Sequence, residues 1–112
     1  MGMNSINTSP TVGTSPYYCG AQSTTPSYRT DDAIVQLKID INAVVAGDEF
    51  LVKGLEKIDG TNVRTIYEAT ILPQSNKGWV SPMFMLRVGW DWSIEKVTGT
   101  DRSLPYDLIY VT

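Results

Sequence analysis

The chain has 112 residues, 42% hydrophobic and 19% charged, with a formal net charge of −3 and a pI near 4.7. That is enough chain for one domain, and its weakly acidic balance, with no Lys/Arg cluster, makes nucleic acid an unexpected partner. No apolar run approaches the roughly 18–20 residues of a membrane span, so no membrane partner is expected, and the absence of histidine removes the commonest general base and zinc ligand.

Residues 1–30 read as an extended arm. Seventeen of them are Ser, Thr, Pro or Gly, and Arg29 is the only charge. Pro10, Pro16 and Pro26 favour extended or turn backbone. The start, "MGMNSINTSP", has neither a basic opening nor an apolar stretch and is not expected to be a secretory signal, which places folding in the cytoplasm. Val12, Tyr17, Tyr18 and Tyr28 are the apolar points by which the arm would attach, to its own domain or to another chain. Cys19 has no partner for an internal disulfide and no neighbouring base to activate it, so it reads as a packing residue.

From residue 31 the pattern changes to that of a β-domain. Asp31 and Asp32 mark the boundary and suit turn or capping roles. "IVQLKIDI" sets Val35, Leu37, Ile39 and Ile41 on one face and Gln36, Lys38 and Asp40 on the other, a half-buried strand. "EFLVKGLEKI" continues the extended pattern, with Gly54 marking a bulge. "DGTN" suits a type I′ hairpin turn. "VRTIYEATIL" carries apolar residues on both faces, which predicts at least partial cover on both. "WVSPMFML" holds Pro82, which cannot donate to a ladder and predicts an edge strand or a broken one. "VGWDWSIEKV" aligns Trp90, Trp92 and Ile94 opposite Asp91, Ser93 and Glu95. "LPYDLIYV" aligns Leu104, Tyr106, Leu108 and Tyr110. Six to eight short strands with turns about every ten residues predict an all-β antiparallel sandwich or small barrel.

Chemistry is sparse. A glycosidase needs two carboxylates about 5–9 Å apart. Asp91, Glu95, Asp101 and Asp107 are the candidates, and Asp91 and Glu95 share a strand face at roughly 13 Å. They read as solvated charges. No spacing suits a calcium loop or a phosphate-binding glycine loop, so no catalytic residue, metal or cofactor is expected. Trp79, Trp90 and Trp92 offer a possible sugar-stacking platform, with a core role competing for the last two.

Two stretches, "AGDEFLVKGLEKIDG" and "GWDWSIEKVTGTDRSLPYDLIYV", resemble small cement, or decoration, proteins of tailed-bacteriophage capsids. The run Gly89 to Ile109 carries most of the likeness. The resemblance implies a β-sandwich or jelly-roll domain without enzymatic activity. It implies a virion protein, made in the host cytoplasm, that binds the outer shell across joints between major capsid proteins. There it would resist the pressure of packaged DNA, with an arm reaching a neighbouring subunit or another copy of itself. On this reading Tyr17, Tyr18 and Tyr28 grip the partner and Arg29 latches it. The alternative is a carbohydrate-binding module or adhesin using Trp79 with Trp90 or Trp92.

Overall fold

A computed structural model describes residues 2–112, an all-β chain of eleven strands. In chain order these are β1 (Met3–Thr8), β2 (Thr11–Val12), β3 (Tyr17–Tyr18), β4 (Ala33–Asp40), β5 (Glu49–Glu56), β6 (Arg64–Ile71), β7 (Gly78–Val80), β8 (Phe84–Leu86), β9 (Trp90–Thr98), β10 (Arg102–Ser103) and β11 (Tyr106–Val111). Every pairing is antiparallel.

The pairings nest. β1 pairs with β11, β2 with β10, β3 with β9, β4 with β7 and β8, and β5 with β6. The chain is thus one long hairpin ribbon wound over itself. The winding gives one sheet in the order β1-β11-β4-β7, with β8 also on β4, and a second in the order β3-β9-β5-β6. This is the strand order of a jelly roll, a double-sheet sandwich built from two Greek keys.

Alternation along the strands explains the burial. In β4, Ala33, Val35, Leu37 and Ile39 point inward while Ile34, Lys38 and Asp40 are exposed. In register with them, Leu108 lies opposite Leu37 and Tyr106 opposite Ile39. Across the sandwich, Phe50, Val52, Ile71, Trp90, Trp92 and Ile94 complete the core. A fully buried side chain of this size is worth about 1.5–3 kcal/mol, so these residues hold the sheets together.

Several expectations are refined. β7 and β8 form one edge interrupted at Pro82, as its missing N–H requires. The gap is bridged by buried Ser81, whose hydroxyl accepts the Leu37 N–H at 3.0 Å while its own N–H reaches the Leu37 carbonyl at 2.9 Å. The ladder slips by a residue between Gly54 and Leu55, the bulge that Gly54 signalled. The "DGTN" turn is not type I′, which needs positive φ at both central residues. The loop runs over residues 57–63, only Gly60 has positive φ (+81°), and Asp59 accepts the N–H groups of Thr61 and Asn62 at 2.9 and 2.7 Å. β6 is an edge strand in which only Ile71 is fully buried, while adjacent Ile66 and Tyr67 are half-buried against the core.

The larger correction concerns residues 1–30. Extended they are, but residues 3–30 do not form a separate arm. They supply β1, β2 and β3 and add two isolated bridges, Tyr18 with Ser23 and Arg29 with Trp90. Val12 and Cys19 are buried in the common core. The boundary at residue 30 is a change in composition and not in structure, because edge strands need few apolar residues to be held by a ladder.

Candidate interaction surface

The segment between β3 and β4 folds back along β9, and its side chains explain how it is held. The Tyr17 ring meets Tyr106 edge-on at 5.9 Å, and the Tyr106 hydroxyl donates to the Cys19 carbonyl at 2.7 Å. Cys19 N–H donates to the Trp92 carbonyl at 2.8 Å, and burial raises its thiol pKa well above the ordinary range. Tyr18 and Tyr28 pack edge-on at 6.4 Å, with the Lys57 ammonium 5.1 Å from the Tyr28 ring. Arg29 N–H donates to the Trp90 carbonyl at 2.9 Å. Its guanidinium lies 4.7 Å from the Tyr110 ring, 5.8 Å from Trp90, and forks onto Asp31 at 3.2 and 3.0 Å. That pairing holds the Asp31 carboxyl below its usual range. So Tyr17, Tyr18, Tyr28 and Arg29, expected to grip a partner, are half-buried and engaged within their own chain.

Asp91 is the centre of this docking. It is fully buried, not a solvated strand charge. Its Oδ1 accepts the N–H groups of Gly20 at 2.6 Å and Trp92 at 2.7 Å, and its Oδ2 that of Ala21 at 3.2 Å. Burial lifts its pKa to about 6, against the pull of those three donors and of Arg29. A second buried carboxylate, Asp48, holds the opposite end. It accepts from Val45, Thr100 and the Arg102 guanidinium at 3.0, 3.1 and 2.8 Å, which keep its pKa near 2. The other candidate carboxylates are also engaged: Asp101 with Lys96 at 2.5 Å, Glu95 with Lys53 at 3.4 Å, and Asp107 with the Ser5 hydroxyl. Among the described residues, no group of three or more His, Cys, Asp or Glu side chains gathers at metal-binding range.

The tryptophans do not form a platform. Trp90 and Trp92 have no exposed surface, and Trp90 Nε1 donates to the Asp31 carbonyl at 2.8 Å. Trp92 is enclosed by Tyr67 and Phe84 at 5.9 and 5.6 Å, its buried Nε1 without an acceptor. Trp79 alone reaches an open groove, of about 480 Å³, with Lys38, Asp40 and Lys77. A single half-buried indole replaces the two-ring surface that stacking was expected to use.

Exposed apolar side chains occur singly at Val45, Ile58, Leu72, Val88 and Val97, and line up as a row on the outer face of the first sheet. Register sets Met3 opposite Val111, Val111 opposite Ile34, and Ile34 opposite Met85. Directly opposed residues share a face, so these four side chains form one row across four strands. Met3 is 76% exposed, Ile34 45% and Met85 83%, and nearby Met83 is 70% exposed. A shallow hollow of about 480 Å³ lies beside Ile34, Met85 and Val111, rimmed by Asp32 and Arg87. Further along the face the rows turn polar, with Asn7, Asp107 and Lys38 in line.

The chain matches no family model, no curated protein and no solved structure.

An exposed row of flexible apolar side chains beside charged ones is suited to adhesion. Methionine adapts to an irregular partner surface at little strain, and contiguous exposed apolar side chains mark protein interaction sites. None of the four row residues was singled out from the sequence.

Proposed function

We propose that this protein is a non-enzymatic adhesion module that cements a protein shell, docking through the outer face of its first sheet. The observation that carries the reading is the row Met3–Val111–Ile34–Met85, an apolar stripe across the sheet in which Val111 is half-buried and the other three are exposed. A rigid platform loses little conformational entropy on docking. The resemblance to tailed-phage decoration proteins supplies the partner, the outer surface of a capsid across joints between major capsid proteins. Jelly rolls serve in viral capsid and lectin domains alike, and a fold does not by itself assign a function. The apolar row favours a protein surface over a sugar.

In this reading adhesion does not depend on a free arm. The sheet face makes the contact, and many copies acting on one particle turn modest single contacts into a stable coat. The test uses undecorated shells of the phage that encodes the chain. Purified protein is expected to co-sediment with the shells, and the double variant Ile34→Asp with Met85→Asp is expected to lose at least tenfold in occupancy while keeping its fold. Shells left bare by the parent protein, or decorated equally by the variant, would refute the proposal.

A further inference from the structure

We infer that β1 is a pairing strand for a second copy of this chain. An open sheet edge offers unpaired N–H and C=O groups to any extended segment. Soluble proteins blunt such edges with short strands, charges, prolines or bulges. Three of the four edges of the two main sheets are blunted, and the small β10-β2 sheet has strands of two residues. β3 has two residues. β6 carries Arg64 and Glu68 and is bulged against β5. The β7/β8 edge is broken at Pro82. β1 has none of these devices. Its six residues, MNSINT, are uncharged and free of proline, and its register with β11 is unbroken. Among the described residues, its only ladder is with β11.

The composition of β1 selects a copy of itself as the occupant. Antiparallel pairing about a two-fold axis at Ile6 sets Asn4 opposite Thr8, Ser5 opposite Asn7, and Ile6 opposite Ile6 of the second copy. This register is an even one, so inward residues stay inward and outward residues outward. Two copies of a chain with net charge −3 repel each other at most surfaces, but this edge opposes no like charges. The inward Ile6 pair joins the two cores, since Ile6 already packs against its own. A C₂ contact of this kind is self-complementary and closes after two copies.

The axis stands perpendicular to the sheet, so both outer faces look the same way. The dimer therefore presents its two Met3–Met85 rows to one side. The inference does not rest on the shell reading: a dimer that ignores shells would leave it standing, and a shell-binding monomer would overturn it alone.

Sedimentation velocity on the full chain tests it, from about 10 µM to 1 mM, the range in which small interfaces associate. The parent protein is expected to shift from monomer to dimer across that range. The variant Ser5→Lys with Asn7→Lys puts four ammonium groups at the axis on exposed positions and is expected to weaken dimerisation at least tenfold; an ammonium beside Asp107 takes the place of the Ser5 hydroxyl bond, so thermal unfolding is expected to shift little. Register is read by mild oxidation of a mixture of Ser5→Cys and Asn7→Cys chains, which is expected to cross-link faster than either variant alone. Buried Cys19 does not compete. A parent protein that stays monomeric at 1 mM, or a dimer that tolerates both lysines, would overturn the inference. Faster cross-linking of Ser5→Cys alone would overturn the axis at Ile6.

Discussion

Replacing Asp91 with Asn separates the cost of burying its charge from the value of its hydrogen bonds. The carboxylate is buried against the Gly20, Ala21 and Trp92 N–H groups, and its pKa rises from 3.8 to about 6. The folded protein therefore binds this proton more tightly than the unfolded chain does. The stability Asp91 contributes is fully present below about pH 4 and is lost as the pH rises through about 6. Between those limits the linkage amounts to about 3 kcal/mol, at 1.36 kcal/mol per pKa unit. Between pH 4.5 and pH 8 it amounts to about 2 kcal/mol. Asparagine keeps one oxygen for Gly20 and Trp92 but turns an NH₂ group toward the Ala21 N–H, at a cost of about 1–3 kcal/mol. That cost is independent of pH, whereas the charge penalty it removes exists only at high pH. The variant is thus expected to trail the parent by about 2 kcal/mol more at pH 4.5 than at pH 8. Urea unfolding at the two pH values measures the difference. Asp48 and Asp59, whose low pKa values act in the opposite direction, are common to both proteins and cancel. A destabilisation that is the same at both pH values, within about 0.5 kcal/mol, would refute the raised pKa.

Gly99 has a φ of +96° and lies against the Asp48 backbone and carboxylate, so Gly99→Ala adds left-handed strain to a backbone clash. It is expected to cost about 2–4 kcal/mol, measured as a lowered Tm. Deleting residues 2–28 removes β1, β2 and β3 together with buried Val12 and Cys19. The remainder is expected to lose its near-ultraviolet dichroism, and a cooperatively folded remnant would refute the shared core.

The sandwich was legible wherever one strand face is wet. Val35, Leu37, Ile39 and Leu108 announce themselves by alternation because the outer faces of β4 and β11 stay exposed or half-buried. β1 and β3 were not legible, since an edge strand is held by backbone bonds that leave no mark on side-chain polarity. The same limit hid Asp91. Its carboxylate sits on what reads as the solvent face of β9, and only the fold-back of residues 19–30 buries it. The candidate surface was hidden for a different reason. Ile34, Met85 and Val111 are single apolar residues on polar strand faces, unremarkable one at a time. Only the register between strands that are distant in sequence lines them up.

Because β1 pairs with β11 and β3 with β9, strands far apart in sequence must meet before either sheet is whole. Met3 must find Val111 across more than a hundred intervening residues before the first sheet is complete. Contacts of such sequence separation make folding slow, in the millisecond-to-second range of β-sandwiches. Until then the uncharged edge of β1 and the apolar faces of β4 and β5 are uncovered together. A fold closed by its most distant pairings leaves these surfaces open until it is nearly formed.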